Sequence, residues 1–147
     1  ALSLVGSEMC IRDSPETGEV VPLHYLAIQD VGFALNPMLI EGQIHGGVVQ
    51  GLGWGMREGM EFDEQGLLLN PSFMDYALFR ADEIPPVDIE LIEEPSPHGP
   101  FGIRGVGEPP IVPGAAALAS ALQNTVGIRF CELPVRSENV WQAMKKA

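Results

Sequence analysis

The sequence predicts an α+β fold in which the strands of a mixed sheet are set against one glycine-rich helix and one alanine-rich helix. Three observations predict it. Asn36-Pro37 opens a run in which Ile40, Ile44, Val48, Leu52 and Met56 recur every four residues, the spacing that gathers side chains on one face of a helix. Gly114 to Val126 is rich in alanine and leucine with no interior breaker, as a stable helix requires. VVPLHYLAIQDVG and VDIELIE are dense in β-branched and aliphatic residues, and the second alternates apolar with acidic positions as a half-buried strand does.

Composition narrows the function classes. The 147 residues suffice for one core, and 17 glycines with 13 prolines point to many tight connections. A formal net charge of −12, from 20 acidic against 8 basic residues, argues against nucleic acid and anionic membranes as partners. Two cysteines and three scattered histidines build neither a disulfide framework nor an HExxH or CxxC metal site. Any metal must therefore arrive on something else. No apolar run is long enough to span a bilayer, and no charged n-region followed by an apolar h-region marks a targeting segment.

Taken in order, residues 1–14, ALSLVGSEMCIRDS, fit no periodic template and resemble the meaningless translation of sequencing-adapter remnants. They are expected to be non-native or disordered and to stand outside the fold. SPETGE then reads as a turn, leading a hairpin whose second strand lies near Leu23 to Asp30, its imperfect alternation that of a strand covered on both faces. A helix follows from Pro37 to about Arg57, with Asn36 as N-cap and proline in the first turn. Gly42, Gly46, Gly47, Gly51, Gly53 and Gly55 fall inside it, and each interior glycine costs about 1 kcal/mol relative to alanine. Such a helix is held by its surroundings, its glycines permitting close packing on a neighbour. Gln43 and Gln50, seven residues apart on one face, can present amides to a ligand.

EFDEQGLLLN predicts a hairpin with strands at Gly59–Phe62 and Leu67–Leu69 around Asp63–Gly66. PSFMDYALFRADEIPPV is irregular with one helical turn near Phe73 to Leu78, and Val87 to Glu93 is a strand. Beyond the alanine-rich helix, Gly127 serves as C-cap. Ile128 to Leu133 predicts a short strand, and Ser137 caps a last helix from Glu138 to about Lys145, with acids first and lysines last.

The stretch with the clearest chemical interest is GIRGVGEPP, Gly102 to Pro110, which carries the carboxylate of Glu108 behind three glycines. Glycines at this density let backbone approach a ligand closely, and Pro109-Pro110 stiffens the exit. The plain reading is a tight turn with a solvated glutamate. The functional reading is a general base with a pKa raised by burial. GLGWG is no dinucleotide or phosphate loop, because GxGxxG is unmatched and no GKS or GKT follows. No GxSxG elbow supports a nucleophilic triad, and nothing selects a second member for a paired-carboxylate hydrolase.

Three segments in order, DVGFALNPMLIEGQIHGGVVQGLGWGMREG, PFGIRGVGEPP, and the alanine-rich helix followed by CELPVRSENVWQAM, resemble the carboxy-terminal part of the molybdenum-binding large subunit of the xanthine dehydrogenase and aldehyde oxidase family. The resemblance covers residues 15–147 and makes this stretch a fragment of a larger molybdenum-binding domain. It implies a molybdenum hydroxylase that oxidises aldehydes or N-heterocycles with oxygen from water, using a molybdenum-pyranopterin cofactor. By motif, Glu108 matches the general base toward the metal-bound hydroxyl, and Gln43 matches a glutamine that contacts the pterin. Gly105 and Gly107 let the loop pass close to the metal, which is held by the cofactor's dithiolene without a protein ligand. Gly46, Gly47 and Gln50 are neighbouring supporting positions.

The implied partners are the upstream part of the molybdenum subunit, iron–sulfur and flavin (FAD) domains or subunits, and a small-molecule substrate. This stretch alone is then expected to be inactive and unstable, with apolar and glycine-rich faces meant for absent segments. A non-catalytic cofactor-binding or scaffold module of the same fold is the alternative.

Overall fold

The computed structural model describes residues 5–146. Strands β1 (Val5–Asp13), β2 (Val20–Asp30) and β3 (Val87–Ile92) form a mixed sheet in the order β1-β2-β3. β1 and β2 are an antiparallel hairpin, and β3 runs parallel to β2 with Tyr25 opposite Val87 and Asp30 opposite Ile92. Helices α1 (Pro37–Met56), α2 (Val112–Val126) and α3 (Ser137–Lys146) complete the α+β architecture.

The first strand differs from the expectation that residues 1–14 take no part in the fold. Met9 and Ile11 are partly buried while Glu8, Cys10 and Arg12 are exposed, a period of two that the chain's first residues obscure. Residues 1–4 lie outside the described residues. The predicted strand at Ile128–Leu133 is absent, because no neighbouring strand among the described residues offers this segment a ladder. The hairpin predicted over residues 59–69 shrinks to one bridge, Phe62 to Leu68, around a turn in which Asp63 Oδ1 accepts the N–H groups of Gln65 and Leu67. Ser137 is the first residue of α3 and not its cap.

α1 forms where its cap predicts: the Asn36 side chain accepts from the Leu39 N–H at 3.2 Å. It buries two adjacent faces. Ile40, Ile44, Val48 and Leu52 meet Tyr25, Ala27 and Val31 of the sheet in one core, and Gly47, Gly51 and Gly55 face α2 and the turn before it. A Cβ at Gly51 would lie 2.6 Å from the Ile111 carbonyl oxygen and 3.2 Å from the Gly114 Cα, so the two helices meet backbone to backbone. The close-packing role expected for the glycines thus holds for these three. A second core joins Leu118 and Leu122 of α2 to Val135 and Val140.

Gln29 is buried among apolar neighbours, and its carboxamide has no hydrogen-bond partner among the described residues. Replacing it by methionine, of similar length but without the polar tip, is expected to raise the unfolding free energy by about 1 kcal/mol, read from denaturant midpoints. A drop would show that the amide is satisfied in solution.

The C-terminus of α1 is tied down by Arg57, whose two terminal nitrogens reach the two oxygens of Glu83 at 2.7 and 2.9 Å while its guanidinium lies over the Phe79 ring. The Arg57 hydrogen bonds, aided by the Arg80 N–H, hold the Glu83 carboxyl down at about 2. A carboxylate depressed in the folded state stabilises fully above its ordinary range, and that contribution is lost as pH falls toward 2. Arg57→Met is expected to move the Glu83 titration up toward the ordinary carboxylate range, with the Arg80 contacts still holding it partly down, and to shift acid unfolding to higher pH. An unchanged Glu83 titration by NMR would refute the pairing.

Candidate functional site

The C-terminal ends of the parallel strands β2 and β3, the start of α1 and the GIRGVGEPP loop meet at one end of the molecule. Crevices at the carboxyl ends of parallel strands are common ligand sites. β2 ends in Asp30, Val31 and Gly32; Gly32 has φ +72°, and a Cβ there would lie 2.1 Å from the Gly102 carbonyl oxygen, so only glycine lets the loop pass. Ala34 N–H donates to Glu93 Oε2 at 2.8 Å, tying the approach to α1 to the end of β3.

At this end lies a cavity of about 210 Å³ walled by Phe33, Leu35, Leu39, Ile103 and Val106, with Asn36, Gln43 and Arg104 supplying its polar groups. Gln43 from α1 and the glycine-rich loop, 60 residues later in sequence, thus share one pocket. Val106, which sits between Gly105 and Gly107, also packs against the first core. The far end of the loop is seated on α1, where a Cβ at Gly47 would lie 2.7 Å from the Pro110 Cβ.

Glu108, Gly105 and Gly107 are placed differently from Gln43. All three are exposed on the span between the cavity and Pro110. The burial expected of a general base is therefore a correction: within this chain nothing covers the Glu108 carboxylate, which makes no hydrogen bond or ion pair among the described residues. Its carbonyl accepts the Ile111 N–H at 3.0 Å and starts the turn into α2. A Cβ at Gly105, Gly107, Gly42 or Gly46 would meet nothing within 4 Å, so no contact inside the chain requires glycine at these four positions. Leu39, Gln43, Gly46 and Gln50 form one exposed stripe of α1 beside them.

Among the described residues no three His, Cys, Asp or Glu side chains converge as a cation site. The polar groups on offer are the carboxamides of Asn36 and Gln43, the Arg104 guanidinium and bare backbone, a set suited to a cofactor that brings its own metal ligands, so the residues present fit such a group. Larger depressions, of about 580 Å³ beside α3 and about 670 Å³ between the hairpin and α2, contain none of the predicted site residues. His45 Nδ1–H donates to the Glu41 carbonyl within its own helix, and Cys131 is a free, exposed thiol, so neither joins a triad.

Arg104 and Asp30 carry weight that the motif reading missed. Arg104 Nε stands 2.9 Å from Asp30 Oδ2 with both side chains largely buried, at 13% and 7% exposure. Asp30 Oδ1 also accepts the Gly32 N–H at 2.9 Å. The available signal was a lone arginine inside a glycine-rich loop.

Carboxamides beside an exposed, glycine-rich loop suit a protein that holds a cofactor, and comparison with known proteins specifies the class. Residues 11–85, half of the chain, match the molybdopterin cofactor-binding domain family. The chain belongs to that family, as part of the large subunit of the molybdenum hydroxylases. It is 38% identical over 145 residues to the carbon monoxide dehydrogenase large chain of Hydrogenophaga pseudoflava, covering 96% of this chain and 18% of that one. Against the xanthine dehydrogenase molybdenum-binding subunit of Escherichia coli O157:H7 it is 35% identical over 118 residues, covering 80% and 16%. The solved structure of reconstituted CO dehydrogenase from Oligotropha carboxidovorans superposes with a TM-score of 0.90 at 31% identity, over 98% of this chain and 18% of that one. The chain thus spans less than a fifth of the length of these relatives.

Proposed function

We propose that this chain forms one wall of the active site of a molybdenum hydroxylase that oxidises aldehydes or N-heterocycles with oxygen from water, residues 15–147 being the carboxy-terminal portion of its molybdopterin-binding domain. The observation that carries the reading is the convergence of Gln43 and the Glu108 loop at one end of the fold, next to four glycines whose missing side chains leave open space. The bound molybdenum-pyranopterin cofactor supplies the two-electron chemistry. Gln43 offers its carboxamide to the polar edge of the pterin, and Gly105 and Gly107 keep the loop thin where the cofactor approaches. Glu108 takes the proton from the hydroxyl that becomes the inserted oxygen. A carboxylate works as base near neutral pH when it is aimed and shielded, and the shielding face belongs to the rest of the molybdenum subunit. Iron–sulfur and flavin domains or subunits carry the electrons away.

The test is turnover and molybdenum content of the Glu108→Gln holoenzyme, measured side by side. Retained turnover would sink the base assignment, and lost molybdenum would move Glu108 to cofactor holding.

A further inference from the structure

We propose that Arg104 is a positioning residue for Glu108, acting through a buried clamp with Asp30. The inference rests on the reading of Glu108 as base and adds how this chain aims it. Arg104 is fixed three ways: its Nε lies 2.9 Å from Asp30 Oδ2 and 3.3 Å from the Glu94 carbonyl oxygen, and its backbone N–H donates to the Val31 carbonyl at 2.9 Å. Asp30 in turn accepts the N–H groups of Gly32 at 2.9 Å and of Glu94 at 3.4 Å. The ends of β2, of β3 and of the loop are thereby joined at one ion pair. A buried, hydrogen-bonded pair of this kind fixes geometry, because neither charge can leave without stranding the other.

The geometry of the loop makes the clamp matter for chemistry. Downstream, Pro110 and Ile111 are seated on Gly47 and Gly51 of α1. Between these two anchors run Gly105, Val106, Gly107, Glu108 and Pro109, of which Val106 is packed on the core. Two glycines give such a span little stiffness of its own, so the direction of the Glu108 carboxylate is set by where its ends are pinned. At about 3.3–3.6 Å per residue, Glu108 lies at most about 14 Å along the chain from Arg104. A misplacement of about 1 Å at a reacting group costs about 100-fold in rate.

The experiment uses the holoenzyme carrying this sequence, with Arg104→Ala, Arg104→Lys and Asp30→Asn. Arg104→Ala is expected to lower kcat about 10- to 100-fold with KM within about threefold and molybdenum content unchanged. Arg104→Lys, which keeps the charge beside Asp30, recovers most of the loss, and Asp30→Asn reproduces a smaller one. Hydrogen exchange reports the clamp without turnover: amides of residues 105–108 exchange faster in Arg104→Ala and return toward the parent rate in Arg104→Lys. In the Glu108→Gln background Arg104→Ala adds no further loss. Unchanged kcat and exchange in Arg104→Ala overturn the proposal. So does a fall of kcat in proportion to molybdenum content in all three variants, which would make the pair a support of the fold alone. Full activity of Glu108→Gln would instead remove the base reading, while the exchange data still decide the clamp.

Discussion

Glutamine at position 108 is expected to lower kcat about 10²- to 10⁴-fold, the range a positioned general base contributes, with the fold and molybdenum content intact. The side chain makes no hydrogen bond or ion pair among the described residues and is exposed, so the isosteric amide breaks no contact within the chain. Surface changes of this kind stay within about 0.5 kcal/mol in stability. Loss of rate without loss of stability is therefore the signature of lost proton transfer. Glu108→Asp keeps the charge but withdraws it by one methylene, about 1.5 Å, and is expected to fall between the parent and the amide. If the aspartate variant were as slow as the glutamine one, reach would matter as much as charge. If both ran at the parent rate, the loop would have no part in catalysis.

Valine at Gly51 is expected to cost about 3 kcal/mol of unfolding free energy, measured by denaturant midpoints. The atoms that a Cβ would meet, the Ile111 carbonyl oxygen at 2.6 Å and the Gly114 Cα at 3.2 Å, are backbone, and backbone cannot rotate out of the way. Overpacking costs about 1–3 kcal/mol and more where the main chain must move, against a return of less than about 1 kcal/mol in helix propensity. The clash wins. Gly46→Ala is the control, since a Cβ there meets nothing within 4 Å, and the helix should gain up to about 1 kcal/mol. Equal effects at the two positions would contradict the backbone contact. Because Ile111 follows Pro110, Gly51→Val should also disturb the anchor from which Glu108 is held.

The elements legible in the sequence are those whose cause is local. α1 was announced by Asn36, Pro37 and a four-residue apolar repeat, α2 by its alanines and Gly127 at φ +76°, and β3 by the alternation of Val87, Ile89 and Leu91 with acids. Strand propensity at Ile128–Leu133 misled because a strand exists only with a partner to pair its backbone. β1 was missed for the converse reason: a strand of modest propensity is carried by β2. Near the cavity, the motifs pointed to Gln43, which lines it, and to the Glu108 loop, which is seated on Gly47 and Gly51. The contacts of Arg104 with Asp30 and Glu94 are not legible in the sequence, because the three come together only when the parallel strands are paired. Burial of Glu108 could not be read at all, since it depends on what stands opposite and not on the loop.

The parallel pairing of β2 with β3 also divides the contacts into those that are local in sequence and those that are not. The β1–β2 hairpin closes through a short turn, and α1 follows β2 directly, so these contacts are local. Asp30 and Glu94 are 64 residues apart, and closing so long a loop carries an entropy cost that must be met before its contacts form. The Arg104–Asp30 ion pair joins segments still further apart in sequence, so it depends on the β2–β3 register being in place.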